Sequence, residues 1–366
     1  MFKKKLNYAK SMAIHPLIAE HPLYNSLFSS DLIKYQIVED DYSAELTFIP
    51  TYYKNIEKKH SVIIEDYITL FFPHIHNGSN FEWDYKNCNW LSDYKTFFQG
   101  ENFKGVICHM KQTIESIRTI FDNDPIINEK LYYLGLSYES PINNIKKTDP
   151  NKIILTFTNS FGGTENNFPI RGGTEVILSF KNIIEKGYKN IHLNLLGDIK
   201  VNDSLYDWIL SCPFINIIKN DIVVHDRKMY TEKTIHDILE NTDIFLIPAC
   251  RIHSMSVVRA LTYGNIVLGS DGWGFDEFLD DEFRCKGQYK SSYIQNGILK
   301  EKYSLQLELP NFELCDSIES KILKLIENPT KMDMIKEDNL INSKIKFSKE
   351  KRDSEFELII DKMTSL

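Results

Sequence analysis

The second half of the chain alternates short apolar runs with segments of helical spacing, and that order confines it to a parallel sheet covered by helices on both faces. The runs "KIILTF" (152–157), "IHLNLLGD", "DIVVHD", "DIFLIPA" and "NIVLGSD" have strand length. Between them, "GGTEVILSFKNIIEKG" (172–187) places Val176, Ile177, Phe180 and Ile184 on one helical side, with Gly187 as a stop. "LYDWILSC", "TEKTIHDILENT", the segment after Arg251 and "FDEFLDD" also read as helix. In such sheets ligands sit beyond the carboxyl ends of the strands, beside helix N-termini.

The first half is less regular. "SVIIEDYITLFF" (61–72) and "GVICHM" (105–110) read as strands, and "KQTIESIRTIF" (111–121) as a helix with Ile114, Ile117 and Ile120 or Phe121 in register. With 366 residues the chain is too long for one ordinary core and suits two domains. "SPINNIKKTDPN" (140–151), with two prolines, reads as the linker, and "SKEKRDSEFELIIDKM" as a polar final helix with Phe356, Ile359 and Ile360 on one stripe.

A formal charge of −8 argues against nucleic acid as a partner. The six cysteines form no CxxC pair, which points to free thiols in a reducing compartment, the cytoplasm. No run of about 18 apolar residues spans a membrane. Lys3–Lys5 can touch an anionic membrane surface or form a solvated, frayed terminus.

Five blocks carry a resemblance. "FKGVICHMKQTIESIRTIF" with "LYYLGLSYESP" is similar to the last strand and helix of an acceptor domain and its hinge, at about residues 136–150. "RGGTEVILSF", "LNLLGD", "HDRKMYTEKTIHDILENTDIFLIPA" and "RIHSMSVVRALTYGNIVLGSDGWGFDEF" follow in the order of a donor domain. From about residue 105 the chain resembles glycosyltransferases of the GT-B fold, of the broad family 4 (glycosyl transferases group 1) retaining type. The resemblance implies an α/β architecture of two Rossmann-like domains facing each other across a cleft. Residues 1–145 would form the acceptor side, 150–345 the donor-binding domain, and 346–366 a C-terminal helix packing back on the first domain. It also implies a nucleotide-sugar donor as substrate, no separate cofactor, no metal, and a glycan, lipid-linked or protein acceptor. A non-catalytic sugar-nucleotide or glycan-binding module and another GT-B enzyme, such as a sugar-nucleotide epimerase, are the alternatives.

The resemblance assigns roles by position. Arg171 stands before Gly172-Gly173 at a helix start, where a guanidinium and a helix dipole suit a diphosphate, or where Arg171 makes a surface ion pair. Ser254 or Ser256 can cap the next helix, or the N–H groups of Ser254, Met255 and Ser256 can receive phosphate oxygens. His253, Gly197, Asp198, His225, Arg227 and Glu277 fall at donor sugar or nucleotide positions. Two donor positions depart from the family: Arg251 and Arg259 stand where glutamates usually accept hydroxyl hydrogen bonds. Arginine has five donors and no acceptor. The donor then carries an extra acidic group, or the nucleotide sits differently, or the site is inactive. Trp273 replaces a usual glycine and either packs its turn or narrows the pocket.

In the acceptor half no glycine precedes Gly78, so the usual early Gly-rich loop is missing or built otherwise. The family's active-site histidine is not evident. Glu65 and Asp66 stand near its place and join Arg171 as catalytic candidates, able to orient an acceptor hydroxyl or act as a base. His74 and His76 lack a matching set of ligands for a metal.

Overall fold

The computed structural model describes residues 3–12, 22–30, 32–51, 53–71, 74, 81–159, 167–224, 227–288, 292–295, 298–301 and 309–365. The chain divides into two compact units. Unit 1 holds Met1–Tyr138, Tyr293–Glu301 and Phe347–Leu366; unit 2 holds Glu139–Ser292 and Lys302–Lys346.

In unit 1, strands β1 (Lys4–Tyr8), β2 (Tyr35–Glu39), β3 (Leu46–Pro50), β4 (His60–Ile64), β6 (Phe103–Cys108) and β7 (Leu131–Tyr133) form one parallel sheet ordered β2-β1-β3-β4-β6-β7. A separate strand, β5 (Phe81–Asp84), pairs antiparallel with Ile298–Glu301. The helix Lys349–Ser365 completes this unit: Phe356 packs on Phe48 with ring centroids 5.5 Å apart. Its Arg352, nearly fully buried, donates from Nη2 to Ser26 O at 2.9 Å and to Ser30 Oγ at 3.0 Å.

Two expectations fail in this half. Lys3–Lys5 is no frayed terminus, because Lys4 and Lys5 open β1, with ion pairs to Glu45 and Asp41 at 3.3 and 2.9 Å. Nor does a strand run through 61–72. Chain pairing stops at Ile64, and Asp66 then turns the chain into the short helix Tyr67–Leu70 by accepting from the N–H groups of Ile68 and Thr69 at 2.9 and 3.1 Å. A carboxylate at an N-cap satisfies two donors that the helix cannot, so the local bonds override the apolar run.

Unit 2 contains β8 (Ile153–Thr158), β9 (Ile191–Leu196), β10 (Ile215–Ile218), the hairpin β11 (Ile222–Val224) and β12 (Arg227–Met229), then β13 (Ile244–Leu246), β14 (Ile266–Ser270) and β15 (Arg284–Cys285). Its main sheet is parallel and ordered β10-β9-β8-β13-β14-β15. Sequence order therefore runs outward in one direction from β8 and in the other from β13. That is the doubly wound Rossmann arrangement, with its switch point between β8 and β13. Right-handed crossovers then set helices on opposite faces. Gly173–Glu185 packs with Phe312–Ile326, and Ser254–Thr262 packs with Pro329–Lys346. Ile153, Leu155, Phe157, Val176, Ile177 and Phe180 are fully buried in the core between strands and helix. "FDEFLDD" forms no α-helix; it holds two 3-10 turns, Phe275–Glu277 and Asp281–Phe283.

A buried histidine in unit 1 yields a pH prediction. His109 follows β6, 2% exposed, and its Nδ1 lies 2.8 Å from Leu134 O, so the neutral ring keeps its proton there. Burial, with the Arg352 charge adding to it, pushes its pKa down to about 4. The unfolded value is about 6.5, so the unfolded chain takes up a proton that the folded chain resists. Stability is whole above pH 6.5 and declines as pH falls toward 4. Between pH 7 and 4.5 His109 alone removes roughly 2 kcal/mol. Urea unfolding across that range should fall less steeply in His109→Gln than in the parent; an equal fall in both contradicts the assignment.

Candidate donor-binding site

The switch point in unit 2 gathers most of the described residues that the resemblance assigns to a donor site. After β8, the short helix Asn167–Ile170 leads into Arg171, which is half-buried, and then into the helix Gly173–Glu185. Gly172 has φ +79°, and a Cβ there would stand 2.7 Å from Pro248 O. Pro248 lies just beyond β13, so the turn after β8 presses on the turn after β13, and only glycine fits. A hydrogen bond from Cys250 N–H to Ile170 O at 3.4 Å joins the same two turns. Close packing explains Gly172, and a Cβ on Gly173 would strike the Phe168 ring at 2.6 Å. Neither glycine needs a ligand to account for it.

On the other side of the switch point the helix Ser254–Thr262 begins. The expectation that Ser254 or Ser256 caps it is not met: His253 holds the N-cap position with no side-chain cap bond, and Ser254 is fully buried inside the first turn. Val257, Val258 and Leu261 face the core as the spacing predicts. Thr262 and Tyr263 are buried as well. Met255 is buried and Ser256 half-buried.

Arg251 and Trp273, two of the departures from the family pattern, meet each other. Their backbones form a parallel bridge, with Trp273 N–H donating to Cys250 O at 3.1 Å and Ile252 N–H to Trp273 O at 3.0 Å. The Arg251 guanidinium, 5% exposed overall, sits 5.1 Å from the Trp273 ring centroid. Stacking of this kind contributes about 0.5–2 kcal/mol. Trp273 thus holds Arg251 as well as its own turn. That pairing of distant positions has no local signal in the sequence.

Arg259 donates from Nη2 to Glu232 Oε1 at 2.9 Å, from one helix to the first turn of Glu232–Glu240. Glu232 is 69% exposed, so water screens the pair. The pair itself should therefore contribute less than about 1 kcal/mol, read as the coupling between Arg259→Ala and Glu232→Ala in a double-mutant cycle. A larger coupling in denaturant titrations would show that the pair carries more of the fold than its exposure allows.

The carboxyl ends of β9 and β10 open a further cavity of about 620 Å³, lined by Gly197, Asp198, Tyr206, Ile218 and Val223 among others. Gly197 has φ +95°, and a Cβ would collide with the Asn159 side chain. Asn159 Nδ2 donates to Asp198 O at 2.7 Å, and Gly197 N–H donates to Tyr230 Oη at 2.6 Å. Asp198 is exposed. His225 lies outside the described residues, and Arg227 opens β12. Glu277 ends its 3-10 turn, half-buried, with Lys346 Nζ donating to its carbonyl at 3.2 Å. Gln288 had no signal in the sequence: its Nε2 donates to Pro248 O at 2.6 Å and its N–H to Asp271 Oδ1 at 2.9 Å, fixing the ends of β13 and β14.

In unit 1, Glu65 is half-buried just past β4, and its carbonyl accepts from Thr113 Oγ1 at 2.7 Å. His74 stacks on Trp90 at 4.2 Å, while His76 lies outside the described residues, as do residues 13–21. Among the described residues no group of three or more His, Cys, Asp or Glu could hold a metal ion, and no helix is long and apolar enough to cross a membrane.

No family model matches the sequence, and no curated protein matches it. Solved structures do. The structure of TarM matches with a TM-score of 0.52 over 87% of this chain at 14% identity. The GtfA/B complex matches with 0.56 over 87% at 10% identity. This is the GT-B fold. The chain spans only 54% and 58% of those two proteins. A UDP-forming α,α-trehalose-phosphate synthase from Burkholderia xenovorans matches with 0.51 over 86% of this chain and 73% of its own, at 6% identity. At these identities the likeness is one of fold, and the chemistry has to come from the site.

Proposed function

We propose that this GT-B chain is a glycosyltransferase that moves a sugar from a nucleotide-diphosphate donor to a glycan, lipid-linked or protein acceptor, with retention and without a metal. The observation that carries the reading is the β8/β13 switch point, where Arg171 and the starts of two helices converge. Helix N-termini carry partial positive charge, and an arginine beside them adds a bidentate donor. Such a cradle binds diphosphate and stabilises it further as the sugar–phosphate bond breaks and charge develops on the leaving group. The cavity at Gly197 and the hairpin β11–β12 suit the nucleoside end, and Arg251 on Trp273 the sugar end. In unit 1 Asp66 serves as a helix cap, so Glu65 is the acceptor-side carboxylate of choice to orient a hydroxyl. A lipid-linked acceptor would bring the chain to a membrane surface.

A second reading is a non-catalytic sugar-nucleotide module, favoured by the engagement of Arg251 with Trp273 and of Arg259 with Glu232. Release of nucleotide from UDP-, GDP-, ADP- and CMP-sugars, without acceptor, separates the two. The transferase reading predicts slow hydrolysis with one base, reduced at least tenfold in Arg171→Ala. Binding with no release above the Arg171→Ala background supports the module. An isomerised donor in the same reactions would instead identify an epimerase.

A further inference from the structure

A second cavity in unit 2, of about 710 Å³, lies away from the switch point, between β14, the 3-10 turn Asp281–Phe283 and the outer face of Phe312–Ile326. Its size is that of a small-molecule site. Phe283 contributes apolar surface, with the buried Leu268 and Leu325 behind it, and four lysines line the cavity: Lys286, Lys321, Lys324 and Lys331. The chain as a whole is acidic, at −8, so a cavity with four lysines against Glu282 and Glu313 runs against its average.

Two of the four lysines are spoken for. Lys331 Nζ pairs with Glu282 Oε1 at 3.0 Å, and Lys321 Nζ donates to the carbonyls of Glu282 and Asp281 at 2.5 and 3.4 Å. Lys286 and Lys324 make no side-chain hydrogen bond or ion pair among the described residues. The field is positive on Glu282 too: the Lys331 hydrogen bond, then the charges of Lys331, Lys324 and Lys321, hold its carboxyl below the usual range. Lys286 is fixed at its backbone by N–H donation to Ser317 Oγ at 2.8 Å, which places its side chain at the cavity.

We propose that this cavity binds a small phosphate-bearing molecule with an apolar body, the phosphate between Lys286 and Lys324 and the body on Phe283. Ammonium groups read phosphate as point charges, and two that are not hydrogen-bonded to a carboxylate match a dianion. A soluble phosphorylated metabolite and the head group of an anionic lipid share that chemistry.

The probes are dihexanoyl phosphatidic acid below its micelle concentration and phosphatidic acid/phosphatidylcholine vesicles. Both go against the parent chain, Lys286→Gln/Lys324→Gln, and Arg171→Ala. Both lysines are exposed, so the double variant keeps the fold. The expected result is binding of the soluble probe that weakens at least tenfold in the double variant and is unchanged in Arg171→Ala. Vesicle co-sedimentation that depends on the same pair, with weak soluble binding, assigns the site to a lipid head group. Equal affinity in the parent and the double variant for both probes, or no binding of either, overturns the proposal. Nucleotide binding at the switch point is read separately and does not decide it.

Discussion

Lys336→Ala is expected to destabilise unit 2 by about 3–5 kcal/mol, a fall in melting temperature of roughly 10 °C. Lys336 and Asp243 form an ion pair at 2.6 Å, with side chains 3% and 9% exposed. Asp243 Oδ2 also accepts from Ile154 N–H at 2.9 Å, and Lys336 Nζ donates to Lys146 O at 2.6 Å. The pair thus fastens the linker segment, the start of β8, the start of β13 and the helix Pro329–Lys346 at one point. Removing the lysine leaves a carboxylate buried without its counter-charge, and that desolvation is the source of the large effect. Replacing both partners, as Asp243→Asn with Lys336→Met, should recover much of the loss, because no isolated charge remains. A single-variant loss below about 1 kcal/mol in denaturant unfolding, the range of exposed pairs, would contradict this account.

Arg171→Ala is expected to weaken nucleotide-diphosphate binding 10- to 100-fold. One charge-assisted hydrogen bond contributes about 1.5–3 kcal/mol, and a bidentate contact lies at the upper end. The loss should fall on the diphosphate and spare the nucleoside, so the matching nucleoside alone should bind parent and variant alike. Isothermal titration of parent and variant with both ligands reads this directly. An unchanged diphosphate affinity would return Arg171 to the surface ion-pair reading.

The sequence shows unit 2 far more clearly than unit 1. Buried parallel strands read as apolar runs, and β8, β13 and β14 do so, while β9 alternates apolar residues with His192 and Asn194; amphipathic helices lie between them. Strands β1 to β3 escape that reading. β1 begins with two exposed lysines before Leu6 is buried, β2 is an edge strand of mixed character, and β3 ends in Pro50. Asp66 shows a further limit: one side-chain cap converts a strand-like run into strand plus helix. At the site, the sequence locates the turns but not their partners. The Arg251–Trp273 stack joins positions 22 apart, and the Arg259–Glu232 pair joins positions 27 apart on two helices. Contacts of that kind come from the sheet order, which brings β13 beside β8 and β14.

In the proposed function the β8/β13 switch point of unit 2 binds the diphosphate of a nucleotide sugar. Thermal melts with UDP, GDP, ADP and CMP test it most directly, since a ligand that binds only the folded state raises the midpoint by mass action. One of these nucleotides at millimolar concentration is expected to raise the melting temperature of the parent, with a smaller rise in Arg171→Ala. No rise with any of the four, or an equal rise in Arg171→Ala, would contradict it.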